Sequence, residues 1–532
     1  MKKILLSLSL VLLACGAGAQ GTSEETSGTE LAVRNVTRAM ALLDGTVDKC
    51  FTGSSMKMGD TFNMETLQSE GTADVWPYTA ALEATNSVLE ALEALKGTNP
   101  DLYEQNHDRY VELLADLYTN LDYYRGRLTG LVSYTRTASW DVYGVHRSSF
   151  KGGATVSGIE NVYDDQEWII RELLRSYKLT GVESYLTKAV NLTDYVLDGW
   201  DCYPDANGED YGGITWGPGY TSKHSCSNGP IISPLVWLHE IYKDKTSQVL
   251  HYTIDADETR VKTAENRADY YLDFAIKVYD WQRKALLNTT KNVFYDAAWA
   301  STGDILYVTV NGVKYRAHQD IGNPGGSYFT YNTGTMISGA ADLYRVTEES
   351  NYLSDMKDYG PGSFSAFATG RRINGKIYYQ FPTDASTTSG FNAWFNDVLM
   401  RSYVEMYAFV PEEEYKVPRA LTSFQTNLDY AYDNYLQEGF LPIDLLGGWG
   451  ENTKTKGFHQ LAFASEYAML AVHEMNKLQT SGIENFEMET AAKDHKVYGL
   501  DGRQRRSHVS GNDLNGLGKG VYIVDGKKYA VK

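Results

Sequence analysis

The chain has 532 residues, of which 42% are hydrophobic and 22% are charged, an ordinary composition for a globular protein that argues against wholesale disorder. Its formal net charge is −19 at pH 7, and a surface of that sign repels a phosphate backbone, so we expect no nucleic-acid partner. The same charge disfavours polyanionic substrates. The 40 tyrosines supply rigid rings with a polar tip, which suit wet pockets that stack flat, hydroxylated ligands.

Residues 1–20 are predicted to be a signal peptide. Two lysines precede an apolar stretch, residues 4–14, that is too short to span a bilayer. Ala17-Gly-Ala19 is a cleavage site of the A-x-A type, whereas Leu12-Leu-Ala-Cys15 resembles a bacterial lipobox in which the cysteine would be lipidated. We favour simple secretion and keep a lipid anchor at Cys15 as the alternative. No later apolar run reaches membrane length, so we predict an extracytoplasmic protein without a transmembrane segment.

Helical periodicity dominates the chain after a flexible linker at residues 21–30. In the second predicted helix, for example, Ala81, Thr85, Val88, Leu92 and Leu95 fall on one face. Twelve such segments are predicted, near residues 31–48, 78–96, 102–125, 163–179, 183–198, 230–243, 262–283, 332–347, 350–358, 394–409, 418–436 and 459–477.

Two of the helix junctions are alike. Tyr177-Lys-Leu-Thr180 is followed by Tyr185, and Tyr344-Arg-Val-Thr347 by Tyr352 with the same spacing, so each is a helix end, a short turn and a new helix. Repeated helix hairpins must bury their apolar faces against neighbours, in a solenoid or in a closed ring. We predict an all-α fold, an (α/α)6 barrel of six helix hairpins, over residues 31–478.

Short strands interrupt the helices. Residues 305–317 around Asn311-Gly312, and residues 372–381 around Asn374-Gly375, are predicted to be β-hairpins with type I′ turns that project from helix ends. The tail, residues 479–532, has short apolar runs around Asp-Gly turns and is predicted to be β-rich.

The cysteines leave two alternatives open. Apart from Cys15 they are Cys50, Cys202 and Cys226, and none has the spacing of a zinc site. Export permits a disulfide between Cys202 and Cys226, and three free buried thiols are the alternative.

An aspartate pair is the sharpest local feature. It lies in Tyr163-Asp-Asp-Gln-Glu-Trp168, which opens a helix after a glycine-rich run. Acidic residues in a first turn commonly do no more than complement the helix dipole. Adjacent carboxyl groups can also have different roles, because the charge of one raises the pKa of the other. One group then keeps its proton while the other is ionised, and glycoside hydrolysis requires such a pair.

Two further segments are candidates for ligand contact. The long loop at residues 198–229 includes Gly212-Gly-Ile-Thr-Trp216, in which the tryptophan could stack on a sugar. Tyr331-Asn332 opens another helix, and Asn332 also suits a helix cap. Asp205, Asn207 and Glu209 are spaced as cation ligands, but the glycine is misplaced for a calcium loop, so we predict no metal and no cofactor.

Together these blocks resemble glycoside hydrolase family 76, the bacterial and fungal α-1,6-mannanases, over about residues 30–478. The blocks are, in chain order, Tyr163-Asp-Asp-Gln-Glu-Trp168, Tyr177-x-x-Thr-Gly181, Gly212-Gly-Ile-x-Trp216, Asn228 and Tyr331-Asn-x-Gly334. The resemblance implies an (α/α)6 barrel that hydrolyses α-1,6-mannan internally with retention of configuration.

The resemblance also implies roles for individual residues. Asp164 is the implied nucleophile and Asp165 the implied acid/base. The implied substrate-binding residues are Trp76, Trp216, Asn228, Tyr331 and Asn332. The sequence departs from the family pattern at Phe395-Asn396-Asp397, where the family often has a Phe-Lys-Gly-type sequence. We expect this difference to affect a distal subsite or the preferred branching of the substrate.

Competing hypotheses are another (α/α)6 glycosidase or a lyase, and a mannan-binding protein without catalysis. A lyase acting on uronic acids would need a basic cleft, which the net charge does not favour, and the intact aspartate pair argues against a purely binding role. The end of the tail resembles the C-terminal sorting regions of Bacteroidetes secreted proteins, although it is short for a complete one.

Overall fold

The structure, a computed structural model, describes residues 28–384, 390–410, 419–451, 453–480, 495–499, 504–509, 520–524 and 527–531. The predicted signal peptide, Cys15 and most of the linker lie outside these residues. Among the described helices, none combines the length and the apolar character that a membrane crossing requires.

All twelve predicted helices are present in the described part of the chain. They are α1 Gly28–Cys50, α2 Val75–Leu95, α3 Pro100–Leu121, α4 Tyr163–Thr180, α5 Glu183–Leu197, α6 Gly229–Tyr242, α7 Arg267–Leu286, α8 Thr330–Thr347, α9 Ser350–Phe367, α10 Asn392–Met406, α11 Ala420–Tyr435 and α12 Gly457–Thr480.

The even-numbered helices form a closed ring. Each contacts the next even-numbered helix along the chain, and α12 returns to contact α2. Each also packs against an odd-numbered helix, in the pairs α1 with α12, α3 with α2, α5 with α4, α7 with α6, α9 with α8 and α11 with α10. This arrangement is consistent with the predicted (α/α)6 barrel.

Burial distinguishes the two sets of helices. In α6 every residue from Gly229 to Leu238 is buried, and in α10 every residue from Asn392 to Tyr403 is buried. The outer helix α3 buries only a stripe that includes Tyr110, Leu114 and Leu117. A helix that is buried on all sides belongs inside a fold, whereas a helix with one apolar stripe covers its surface.

The even-numbered helices begin at the same end of the ring, because the odd-numbered helices return the chain between them. Ring contacts between their first turns confirm this: Trp76 of α2 stacks on Phe391 before α10, Tyr331 of α8 stacks on Phe395, and Phe391 packs against Phe458 of α12. The N-termini of six helices, with their partial positive charge, therefore gather at one end.

The strands are short and almost all antiparallel hairpins or bridges between loops. Their bounds are β1 Phe51–Thr52, β2 Lys57–Met58, β3 Thr61–Asn63, β4 Gln68–Glu70, β5 Arg125–Val132, β6 Thr137–Tyr143, β7 Lys223–His224, β8 Gln248–Ile254, β9 Arg260–Asn266, β10 Leu287–Asn288, β11 Val293–Phe294, β12 Ala297–Ala298, β13 Tyr307–Val310, β14 Val313–Arg316, β15 Thr369–Ile373, β16 Lys376–Gln380, β17 Lys454–Thr455, β18 His495–Gly499, β19 Gln504–Val509, β20 Gly520–Val524 and β21 Lys527–Val531.

Both predicted hairpins are confirmed. β13 pairs with β14 around Asn311-Gly312, and β15 pairs with β16 around Asn374-Gly375. All four turn residues have positive φ, as a type I′ turn requires. The described strands of the tail form one four-stranded sheet in the order β19-β18-β20-β21.

The two similar junctions end their helices in the same way. The Gly181 N–H donates to Tyr177 O, and the Glu348 N–H donates to Tyr344 O, each from a left-handed residue just after the helix. Glycine adopts this conformation without the steric cost that a Cβ brings, so Glu348 is strained where Gly181 is not.

We therefore expect Glu348→Gly to stabilise the protein by about 0.5–1 kcal/mol, and Gly181→Glu to destabilise it by a similar amount. Both residues lie at exposed helix ends, so packing changes little. Chemical denaturation of the two variants beside the unchanged protein measures the difference, and a destabilised Glu348→Gly variant would contradict the interpretation.

Candidate active site

The aspartate pair lies in the open first turn of α4. Val162 precedes the helix and gives it no side-chain cap, so the N–H groups of the first turn are free to interact with the carboxylates that follow. The Tyr163 N–H donates to Trp216 O at 2.8 Å, which fixes the start of α4 to the loop that carries the tryptophan. Asp164 Oδ1 accepts the Asp165 N–H at 3.1 Å.

The two carboxyl groups differ in their titration. Burial raises the pKa of Asp164 to about 6, while the adjacent Cys226 thiol, the Trp216 indole and His224 limit that rise. Burial raises the pKa of Asp165 further, well above its usual range, and the negative charges of Asp164 and Asp74 add to the effect. Asp164 is therefore mostly ionised at neutral pH, and the raised pKa of Asp165 favours its protonated form.

A third carboxyl group lies one helical turn further along α4. Glu167 is completely buried, and neither of its carboxyl oxygens has a hydrogen-bond partner in the structure. Burial and the Asp164 charge raise its pKa well above the usual range, which favours its neutral form. It is a neutral group behind the pair.

Trp216 stands beside the pair in an aromatic wall. Its ring stacks on His224 at 4.8 Å between centroids and packs against Tyr220 at 4.7 Å. The strand β7 carries His224 and pairs with β12, whose flanking residues Asp296 and Trp299 are thereby brought close. His224 Nδ1 lies 3.9 Å from Asp296 Oδ1, and Trp299 remains 46% exposed near it.

A second aromatic group adjoins the pair from the other helices. Tyr331 is buried and stacks on Phe395 at 4.3 Å. Its pKa is raised well above the usual range by burial, then by Cys226, Asp296 and Asp164, which places its hydroxyl among those groups. Half-buried Trp76 stacks on Phe391 at 4.6 Å and lies 5.6 Å from Phe395.

The two predicted asparagines are completely buried. The Asn228 amide binds mainly backbone: its Oδ1 accepts from the Ile214 N–H, and its Nδ2 donates to Ile214 O and His224 O, with a longer contact to Ser227 Oγ at 3.5 Å. It therefore supports the loop that carries Trp216. Asn332 lies inside α8, so the alternative that it caps this helix is wrong, and both of its amide atoms lack hydrogen-bond partners.

The cysteine alternatives are decided in favour of thiols. Cys50, Cys202 and Cys226 are all free and buried, so the alternative of a disulfide between Cys202 and Cys226 is wrong. Cys226 lies beside Asp164, and Cys202 lies after α5 in the wall of a separate cavity.

No group of three or more His, Cys, Asp or Glu side chains suited to a metal is present among the described residues.

The sequence motifs missed several residues of this end of the ring: Asp74, Glu167, His224, Asp296 and Trp299. Asp74 pairs with His146 at 2.8 Å and acts on Asp165 only through its charge. Most of them come close to the pair through long-range pairing, such as β7 with β12, which no local pattern reveals. The sequence signal for Glu167 was its i+3 spacing from Asp164.

Comparisons with known proteins support the family resemblance that the sequence motifs indicate. Residues 259–439 match the sequence model of the family described as Glycosyl hydrolase family 76, a stretch that contains Tyr331 and Asn332 but not the aspartate pair. No curated protein matches the chain.

Solved structures share the fold. A family 76 mannosidase of Bacteroides thetaiotaomicron is 20% identical, with a TM-score of 0.61, over 84% of this chain and 99% of that one. An α-mannanase of the same organism is 16% identical, with a TM-score of 0.55, over 84% and 97% of the two chains.

The α-1,6-mannanase of Salegentibacter sp. HEL1_6 is 18% identical, with a TM-score of 0.53, over 82% of this chain and 99% of that one. A variant of that protein with two adjacent aspartates replaced by asparagine is described as inactive and was solved with α-1,6-mannotriose. The match over residues 259–439 and the shared fold confirm the resemblance of this chain to glycosyl hydrolase family 76.

Proposed function

We propose that the protein is an endo-α-1,6-mannanase that retains configuration, and that its ring of helix pairs is the (α/α)6 barrel of family 76. The observation that carries the proposal is the pair Asp164 and Asp165, which share one helix opening and yet titrate differently. A retaining glycosidase needs one ionised carboxylate and one protonated carboxyl beside the same bond.

The pair would act in two steps. The Asp164 carboxylate attacks the anomeric carbon of a mannosyl unit while the Asp165 carboxyl protonates the departing glycosidic oxygen. The Asp165 carboxylate then removes a proton from water, which attacks the anomeric carbon and releases Asp164. The two inversions together retain the configuration.

The relatives support the choice of substrate. Two of the similar structures are described as α-mannanases. The Salegentibacter enzyme has an adjacent aspartate pair, and its inactive variant, in which both aspartates are replaced by asparagine, holds α-1,6-mannotriose. The aromatic wall of Trp216, Tyr220 and Trp299 suits the apolar faces of a sugar chain.

Incubation with unbranched α-1,6-mannan tests the proposal. We expect reducing ends to appear early as a range of oligosaccharides, with the α-anomer as the first product by NMR. Release of the β-anomer first would contradict retention. Absence of any release, together with cleavage of a different glycan, would favour another glycosidase of the same fold.

The activity should depend on pH through the pair. Below about pH 6 Asp164 becomes protonated and loses its nucleophilicity, so kcat/KM should fall on the acid side. On the alkaline side kcat/KM should fall when Asp165 loses its proton, well above the ordinary range of an aspartate. A pH profile of kcat/KM measures both limbs, and activity that keeps rising below pH 5 would contradict the assignment.

Trp216→Ala should lower kcat/KM about tenfold, because a sugar would lose its stacking partner. Trp216→Phe is the matched control, since it keeps a ring against His224 and should retain most of the activity. Melting temperatures must be measured with both variants. If Trp216→Ala unfolds the protein, the tryptophan is a packing residue and its predicted sugar contact is wrong.

We also propose that the enzyme works outside the cytoplasm, in accordance with the predicted signal peptide at residues 1–20. Fractionation of cells that express the full chain, beside a Cys15→Ala variant, tests this. Release of both proteins into the soluble fraction outside the cytoplasm supports simple secretion, and release of the variant alone supports the lipid anchor.

A further inference from the structure

A separate cavity of about 430 Å³ lies between the end of α5, the hairpin β8–β9 and the start of α7. Its volume is within the range of about 300–1,000 Å³ for small-molecule sites. Leu250 of β8 lines it and is 51% exposed, so the cavity reaches the surface there. Neither aspartate of the catalytic pair lines it.

Two polar atoms in the wall of this cavity are buried and lack hydrogen-bond partners. They are Asp194 Oδ1 and Trp140 Nε1. The Asp198 side chain is only 2% exposed, and it is held by Arg136 Nε at 2.7 Å and by the Ser133 side chain. A buried polar group without a partner is costly, so one free acceptor and one free donor around one cavity indicate a polar ligand.

The charges of the wall indicate a neutral ligand. Arg136 and Arg267 line the cavity together with Asp194 and Asp198, so the positive and negative charges balance. An anion would be attracted by the two arginines and repelled by the two aspartates, and a cation would meet the reverse. A hydroxyl-rich molecule can donate to the Asp194 carboxylate and accept from the Trp140 indole N–H without a charge of its own.

The rings of the wall indicate a sugar among such molecules. Trp140, Tyr252 and Tyr270 line the cavity, and the Arg136 guanidinium lies over the Tyr252 ring at 4.3 Å and near the Trp140 ring at 5.3 Å. Planar groups held in this way offer flat surfaces for the apolar faces of a pyranose ring.

The cavity is next to the active site but separate from it. The Trp140 ring packs on Tyr195, and Tyr195 packs on Tyr163, so two rings separate the cavity from the start of α4. Trp200 lines the cavity and pairs its backbone with Ile214, two residues before Trp216.

We propose that this cavity is a second carbohydrate-binding site, which holds a mannosyl unit of the polymer while another part of the chain is hydrolysed at Asp164 and Asp165. The choice of mannose rests on the proposed function, whereas the choice of a neutral sugar rests on the cavity itself.

Two variants and one control test the site. Leu250→Arg places a bulky side chain at the mouth, and Asp194→Ala removes one free acceptor. Ile377→Arg makes the same substitution as the first variant at a 49% exposed strand position of the hairpin β15–β16, outside this cavity. Melting temperatures confirm that each protein folds.

Kinetics and affinity electrophoresis are measured on the full chain, the latter in an Asp164→Asn background that prevents turnover. We expect Leu250→Arg and Asp194→Ala to raise KM for polymeric α-1,6-mannan and to weaken its retention about tenfold. The same variants should leave kcat/KM on a short α-1,6-mannooligosaccharide unchanged, because it fills the active site alone. Ile377→Arg should change neither quantity.

If all three variants keep the KM and the retention of the unchanged protein, the second site is overturned and the proposed function stands. If the unchanged protein does not hydrolyse α-1,6-mannan, the proposed function fails instead, and retention on gels containing β-mannan, α-mannan or glucan then tests the cavity alone. Retention that Leu250→Arg abolishes supports a sugar site, and no retention on any of these glycans overturns it.

Discussion

Asp164→Asn is expected to abolish turnover on every mannoside, with kcat falling by roughly 10⁴-fold or more, as for other essential nucleophiles. Asparagine keeps an Oδ1 that can accept the Asp165 N–H, so the helix opening should keep its geometry. The amide cannot attack the anomeric carbon, even when the leaving group needs no protonation. The loss should therefore be equally severe on mannan and on an activated aryl mannoside.

Glu167→Gln is the matched control for this experiment. Glu167 is a buried carboxyl on the same face of α4, one turn away, and burial raises its pKa, which favours its neutral form. Glutamine reproduces its neutral form, so this variant should keep most of the activity. Reducing-sugar release and single-turnover assays compare the two proteins. Loss of activity in Glu167→Gln with activity kept in Asp164→Asn would transfer the nucleophile to Glu167.

The helices could be predicted from the sequence because most of them have a local signal, the apolar periodicity of the segment. Where the bounds were wrong, tertiary contacts decided. The helix α9 was predicted to stop at residue 358, before Gly360-Pro361-Gly362, yet it continues to Phe367. Gly362 lies against Asn292, where a Cβ would approach to 2.7 Å, so the glycine serves close packing and does not end the helix.

Among the hairpins that were not predicted, two have strands close to a helix end. Residues 262–266 were predicted as part of α7 but form the end of β9, and β5 begins at Arg125, shortly after α3 ends at Leu121. The Asn266 side chain accepts from the N–H groups of Ala268 and Asp269, so this asparagine marks the true start of α7. An N-cap signal therefore existed within the predicted helix.

The candidate site was predictable only in its local part. The aspartates and Trp216 lie in short motifs, and the structure brings them together. The sequence could not show that Asn228 faces backbone or that His224 joins Trp216 to Asp296, since both depend on loops closing over long separations. Cys202 and Cys226 were possible disulfide partners in the sequence, but Cys202 lies in the wall of the separate cavity after α5, whereas Cys226 lies beside Asp164 at the start of α4.

Asp165→Asn is expected to separate the two steps of the reaction. Hydrolysis of natural mannan should fall by about 10²–10⁴-fold, because the glycosidic oxygen would leave without a proton. Formation of the mannosyl-enzyme from an activated aryl mannoside needs no acid, so a rapid burst of the aryl alcohol should remain. The intermediate should then accumulate, because no base activates water.

Stability gives the folding control for this variant. The pKa of Asp165 is raised in the folded protein, so ionisation is disfavoured there and its unfavourable contribution grows as pH rises above the pKa of the unfolded chain. Asparagine removes that contribution and the repulsion from Asp164. The variant should therefore melt at the same temperature as the unchanged protein or higher at pH 7–8, and a lower melting temperature would point to a packing role.

Azide identifies the residue that bears the intermediate. In Asp165→Asn, asparagine removes the negative charge that would repel an anion at this position. A small anion that needs no general base can therefore approach and attack the mannosyl-enzyme from the face opposite Asp164. Two inversions then give the α-mannosyl azide, and turnover of the variant should rise with azide concentration. The same addition should not rescue Asp164→Asn by this route, since no intermediate forms there. A β-azide from Asp165→Asn would mean a single displacement, and the assignment of nucleophile and acid/base to Asp164 and Asp165 would then be wrong.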